Sequence, residues 1–310
     1  MSIVEKAIGK LRSEARAAAA AAAATEARRR PESPAPLTRP EVHVERAAFV
    51  ASRPVYADDC VSSAPPLRID IEALRAAGAL PAAAVERQLA DEYRRIKWPV
   101  LERAFGREGA AIPDGTLVMV TSALPGDGKT FTSLNLALSI ARERDSSVLL
   151  IDADVAKAHM SELLGIRARP GLTDLLQNPN LDPASVIQAT DVDGLRVMAA
   201  GQRHDSLPEL MASQRMRDLI AQLAARNRER VIIFDSSPLL ATNESQVLAK
   251  LVGQVLVVVR ANGTPRPAVE EAVALLDRSK HVGLVLNQTR TIFGLGTYYA
   301  GHYNYSGSQS

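Results

Sequence analysis

The run Ala123-Leu-Pro-Gly-Asp-Gly-Lys-Thr130 places two glycines, a lysine and a threonine where they can hold a phosphate chain. It fits the loop pattern G-x-x-x-x-G-K-[ST], except that Ala123 stands at the first glycine. Gly126 and Gly128 let backbone N–H groups approach phosphate oxygens with no Cβ in the way. Lys129 can bridge the outer phosphates, and the Thr130 hydroxyl can ligate Mg²⁺. A helix opening near Lys129 adds its dipole to the same anion site. Two further runs, Val148-Leu-Leu-Ile-Asp152-Ala-Asp154 and Val231-Ile-Ile-Phe-Asp235, each carry four apolar residues into a carboxylate. In a parallel sheet, Asp152, Asp154 and Asp235 then meet along the edge where ligands bind. Mg²⁺ that already has phosphate oxygens and waters needs only one or two protein carboxylates, which leaves one as a proton acceptor. Each aspartate alone reads equally well as a helix cap after a strand. Aligned with a phosphate loop, the three together favour the metal.

The elements that must position these residues follow from apolar patterning. Strand-like runs at Leu117–Thr121, Ser147–Ile151, Leu195–Ala199, Val231–Phe234, Gln254–Val259 and Val282–Leu286 alternate with helical segments. The helices include Thr130–Arg144, Gln214–Asn227 and Pro267–Ser279. Several strands are apolar throughout, as strands buried on both faces of a parallel sheet are. The alternation predicts an α/β fold with a doubly wound, mostly parallel sheet. Residues 84–104 read as a polar helix in which Pro99 disturbs the last turns.

The flanks read differently. Ser2-Ile-Val-Glu5 fits a capping box, an eight-alanine run extends that helix over 17–24, and residues 31–66 are rich in Pro, Ala and Ser. The expected organisation is an N-terminal helix and linker over 1–83, a catalytic domain over 84–290 and a tail over 291–310. The 310 residues carry 37 Lys+Arg against 35 Asp+Glu, so charge points to no polyanionic partner. Only the Arg28–Arg30 cluster speaks for nucleic acid, and no such partner is expected. No apolar run reaches the roughly 18 residues of a membrane span. The single Cys60 excludes an intrachain disulfide framework and fits a reducing compartment. Aromatics are only 4% of the chain, yet Tyr298, Tyr299, Tyr303 and Tyr305 crowd its end among glycines. Alone, such a tail reads as a sticky, disordered or interface segment. Beside a phosphate loop it reads as a phosphorylation cluster.

The acidic strand end directly after the loop's helix resembles the second Walker element of a deviant-Walker group. That group holds partition and septum-site ATPases and the bacterial tyrosine kinases. Partition ATPases carry a second lysine early in the loop, where this chain has Leu124. The loop and tail, with Glu92-Tyr-Arg-Arg95, Pro208-Glu-Leu-Met-Ala-Ser213, Asp235-Ser-Ser-Pro238 and Gly283-Leu-Val-Leu-Asn287, resemble the bacterial tyrosine kinases. Within them, the chain resembles the exosortase-associated tyrosine autokinases of exopolysaccharide gene clusters.

The resemblance implies a kinase that uses ATP and Mg²⁺ to phosphorylate the tail tyrosines of a neighbouring copy, within a ring. It implies Lys129, Asp152 and Asp154 as catalytic residues, with Asp154 helping to deprotonate or orient the phenol. Thr130, Asp152 and Asp235 would serve the metal. Pro125, Gly126, Asp127, Gly128, Lys129, Thr130 and Phe131 would contact the nucleotide, with Asn287 near the adenine. Glu92 and Arg95 would meet the next subunit, although Trp98 stands where the family motif has another basic residue. The implied location is cytoplasmic, held at the inner membrane by a separate chain-length or activator protein, with a cognate tyrosine phosphatase as a further partner. The alternatives are a partition-type ATPase and a nucleotide-binding scaffold without kinase activity.

Overall fold

The computed structural model describes residues 65–106, 109–204 and 206–289. At its centre is a seven-stranded sheet in the order β3-β4-β2-β5-β1-β6-β7. The strands are β1 (Leu117–Ser122), β2 (Ser147–Asp152), β3 (Gln188–Ala189), β4 (Leu195–Met198), β5 (Arg230–Asp235), β6 (Gln254–Arg260) and β7 (His281–Asn287). All neighbours pair parallel except β3 with β4.

The uninterrupted apolar runs have a physical reason: helices cover both faces of the sheet. Met119, Leu149, Ile232 and Val257 point into one core, and Val118, Leu150, Ile233 and Val258 into the other. The alternation of side chains along a strand thus feeds two cores at once. On the second face lie α1 (Ile71–Ala76), α2 (Glu86–Phe105), α3 (Lys129–Ala141) and α4 (His159–Leu163). The first face is covered by α5 (Leu172–Gln177), α6 (Pro183–Val186), α7 (Leu207–Ala212), α8 (Gln214–Arg226), α9 (Asn243–Leu251) and α10 (Arg266–Ala274). No helix among the described residues is long and apolar enough to cross a membrane.

The chain runs from β1 leftward to β2, then returns through β5 and passes β1 to reach β6. This reversal puts β1 and β5 at the middle of the carboxyl edge, where open α/β sheets bind ligands. Register does the rest. Asp152 of β2 lies directly beside Asp235 of β5, and Asp235 beside Val120 of β1.

One expectation needs correction. Residues before 84 are not all linker. Leu67 pairs with the β3–β4 connection, donating its N–H to Ala189 and accepting from Asp191. Asp70 then caps α1, and Leu74, Ala79 and Leu80 enter the core. The packed domain therefore begins no later than Leu67. This stretch is rich in Ala and too short for a helical period to show, so it reads as linker until α2 and α3 are there to receive it. Pro99 sits within α2, which runs on to Phe105, close to the helix read over 84–104.

Because Leu74 is only 2% exposed, Leu74→Ala is expected to cost about 2–5 kcal/mol. Urea denaturation of wild type and variant checks this. An unchanged midpoint would return the segment to linker.

Candidate active site

The phosphate loop joins β1 to α3. Gly126 and Gly128 take φ of +85° and +97°, a region that disfavours any side chain. Gly128 has a second constraint: a Cβ there would lie 2.0 Å from Asn287 Nδ2. Asn287 instead donates from Nδ2 to the Asp127 carbonyl at 2.9 Å, so β7 presses directly on the loop. Ala123, at the position of the missing glycine, is buried and absent from the positive-φ residues, so its methyl group is tolerated.

The Asp127 side chain anchors the loop internally. Its carboxylate accepts from the Leu124 N–H at 3.3 Å and the Thr264 hydroxyl at 2.7 Å. It braces the loop from behind and ties it to the turn after β6. The carboxylate is buried and absent from the cavity wall, so only its backbone remains for the nucleotide. Pro125 is exposed beside Gly126 at the crest of the loop.

Over the loop opens a cavity of about 540 Å³. Gly126, Gly128, Lys129, Thr130 and Phe131 line it from the loop and α3, and Asn287 and Gln288 from the end of β7. The turn after β2 supplies Asp154, Lys157 and His159. Lys129 and Asp154 are each 9% exposed, and the hydrogen bonds of the described residues engage neither side-chain charge. Both are left for a ligand.

Asp152 and Asp235 lie beneath this surface, at 0% and 1% exposure. Asp152 accepts from the Ser161 hydroxyl at 2.7 Å and N–H at 2.8 Å. Asp235 accepts from the Ser133 hydroxyl at 3.0 Å. Burial pushes both carboxyls up from the ordinary range. For Asp235 the neighbouring Asp152 charge adds to the rise, while the Thr130 and Ser133 hydroxyls and Lys129 oppose it. Burial lowers the Lys129 ammonium, against the pull of Asp235 and Asp154.

Hard oxygen donors fit Mg²⁺ here: the Thr130 hydroxyl at the cavity and carboxylates around it. No group of three or more His, Cys, Asp or Glu side chains among the described residues could hold a metal by itself, so phosphate oxygens and water would complete the shell. Ser133, Ser161, Thr264 and Gln288 were not expected at the site. Ser133 carries the only prior signal, lying four residues after Lys129 on the same helix face. Glu92 and Arg95 are exposed on α2, far along the chain from the loop. Tyr298, Tyr299, Tyr303 and Tyr305 lie outside the described residues.

A glycine loop under a parallel sheet's carboxyl edge, with two acidic strand ends, defines a P-loop nucleotide-binding protein. The CobQ/CobB/MinD/ParA nucleotide binding domain family matches residues 118–264. The chain is 34% identical over 200 residues to the tyrosine-protein kinase YwqD of Bacillus subtilis, covering 64% of this chain and 80% of YwqD. It is 30% identical over 171 residues to the tyrosine-protein kinase Ptk of Acinetobacter johnsonii, covering 55% of this chain. It spans only 22% of that relative's length. Among solved structures, the VpsO kinase domain matches at 31% identity and a TM-score of 0.55, over 67% of this chain and 100% of that domain. The chain belongs to the bacterial tyrosine-kinase family.

Gly128→Ala is expected to weaken nucleotide binding by at least tenfold, since both φ and Asn287 oppose the methyl group. A fluorescent ADP titration measures it. Asp235 gives a prediction about pH. Its folded-state pKa lies above the unfolded value of 3.8, so the native state binds the extra proton between the two. Stability of the ligand-free protein in chelator therefore falls as pH rises from about 4 toward neutrality. Asp235→Asn, which keeps an acceptor for Ser133, is expected to raise the melting temperature at pH 8 and flatten that dependence. Equal pH profiles for the two proteins would contradict it.

Proposed function

We propose that this chain is an ATP-dependent protein-tyrosine kinase that phosphorylates Tyr298, Tyr299, Tyr303 and Tyr305 of a neighbouring copy. The observation that carries the reading is one cavity holding Lys129, Thr130 and Asp154 above a pre-shaped glycine loop. Family membership agrees with it.

In the proposed reaction, backbone N–H groups of the loop and the Lys129 ammonium hold the phosphates of ATP. Asp154 faces the incoming phenol. The phenolic oxygen bonds to the γ-phosphorus as the bond from that phosphorus to the β–γ bridging oxygen breaks. ADP leaves with that electron pair, and the phenolic proton passes to Asp154. A free phenol holds its proton up to a pH of about 10, so a carboxylate placed to take it matters most late in the transfer. Thr130 would hold Mg²⁺, with Asp152 and Asp235 adding negative charge beneath. When bound, the ion neutralises phosphate charge and so supplies part of the electrostatic stabilisation that dominates such reactions.

The wider setting is part of the same proposal. Exposed Glu92 and Arg95 on α2 are available for a ring contact with the next subunit. Residues upstream of Leu67 would dock on a membrane-anchored activator, keeping the kinase at the cytoplasmic face of the inner membrane. Its role would be control of exopolysaccharide polymerisation or export, as in exosortase-associated autokinases, with a cognate phosphatase resetting the tail. Each phosphate adds about −1.5 to −2 charges, so a fully modified tail would be repelled by the acidic site and favour release.

Mass spectrometry of purified protein incubated with ATP and Mg²⁺ tests the reading. Phosphate is expected on the tail tyrosines, and Lys129→Met is expected to lower the rate roughly 100-fold or more. An unmodified tail in wild type, or equal modification in both proteins, would contradict it.

A further inference from the structure

The cavity has more wall than the phosphates can use. Ala77, Gly78 and Ala79, from the strap that links α1 to α2, line it alongside Leu163 and His159 of α4. None of these residues belongs to the phosphate loop. The two segments, strap and α4, are held in place independently of any ligand. On the strap, the Ala79 N–H donates to Leu74 O at 2.8 Å, and the Ala79 carbonyl accepts from Asn135 Nδ2 of α3 at 3.1 Å. Gly78 takes φ of +72°, and a Cβ built there would meet nothing within 4 Å, so its α-carbon borders open space. Opposite, the turn from Asp154 to His159 closes on itself. The Ala158 N–H donates to the Asp154 carbonyl at 2.6 Å, and Arg167 Nη1 donates to the Lys157 carbonyl at 2.5 Å. Ala158 is buried with φ of +47°, a costly conformation for a residue with a side chain.

The chemistry of this wall differs from that of the loop. Asp154 begins the turn that carries His159 and Leu163, and all three line the same cavity as the strap. A tyrosine ring presents two apolar faces and one polar oxygen. Three small residues let a flat ring lie close against the strap, and Leu163 gives an apolar contact. His159 is exposed at the mouth, and Lys157 adds a second cation near Lys129.

We infer that the slot between Ala77–Ala79 and Leu163–His159 receives the ring of the acceptor tyrosine, so that the strap forms part of the protein-substrate site. This rests on the kinase reading above. It also gives the packing of residues 67–80 a purpose: the chain arriving from the N-terminal extension builds one side of the acceptor site.

The test uses the full chain with ATP and Mg²⁺, and a synthetic peptide of residues 296–307, Gly-Thr-Tyr-Tyr-Ala-Gly-His-Tyr-Asn-Tyr-Ser-Gly. Ala77→Trp, which fills the slot, is expected to raise the peptide KM or lower peptide kcat/KM by on the order of tenfold or more. Its affinity for fluorescent ADP is expected to stay within about twofold of wild type, which also reports that the variant is folded. Glu72→Ala, on the exposed side of α1, is expected to change neither. The inference is overturned if Ala77→Trp leaves peptide kinetics unchanged, or if it weakens ADP binding as much as it weakens the peptide. A wild type that transfers no phosphate to any tyrosine sinks the kinase reading itself, so the two failures are distinguishable.

Discussion

The contact of Asn287 with the phosphate loop is the constraint on which the rest of the site depends. The loop's function needs its amide N–H groups aimed at one point, and nothing in a glycine-rich segment fixes that aim by itself. Here the fixing comes from neighbours. Asn287 holds the Asp127 carbonyl, Thr264 holds the Asp127 carboxylate, and Asp127 holds the Leu124 N–H. The last strand and the turn after β6 thus grip one residue from two sides. Gly128 is the result of that grip as much as of the phosphate, since a methyl group would collide with Asn287. Such pre-organisation is what lets donors stabilise developing charge without rearranging during the reaction.

The same edge stores electrostatic tension. Register places Asp152 beside Asp235 in a dry part of the sheet, and both carboxyls are held above their ordinary range by burial. Lys129 is held below its own for the same reason. Serine and threonine hydroxyls soften the cost without removing it. A buried carboxylate pair that opposes stability is hard to explain as scaffolding and simple to explain as a cation site waiting for charge. The cost is borne by the large two-faced core beneath, in which Val118, Leu150, Ile233 and Phe234 are fully buried.

Much of this was legible in the residues, for reasons that can be named. The strands announced themselves because burial on both faces makes each one apolar throughout. The loop was readable because its chemistry is local: glycines, lysine and threonine act within eight residues. The three aspartates were readable because they end strands, and parallel strands end together. What escaped depended on orientation or on partners distant in the chain. The Asp127 side chain turns to Thr264, 137 residues away, and no local pattern records that. The strand β3, two residues long, is too short for a period. The segment from Leu67 to the strap looked like linker because Ala dominates it, and its few apolar anchors, such as Leu74 and Leu80, have meaning only against α2 and α3. Burial sets Asp154, which lines the cavity, apart from Asp152 and Asp235 beneath it, and strand-end spacing alone does not record that difference in depth.

In the proposed reading the loop and Lys129 hold the phosphates of a nucleoside triphosphate, with Asp154 facing the acceptor. A crystal structure of the full chain with a non-hydrolysable ATP analogue and Mg²⁺ tests it most directly. Phosphate oxygens are expected within about 2.7–3.2 Å of the loop's backbone nitrogens, with the Asp127 carboxylate still on Thr264 and Asp154 beside the γ-phosphate. A nucleotide seated elsewhere, or bound only after Asp127 and Asn287 let go of the loop, would contradict it.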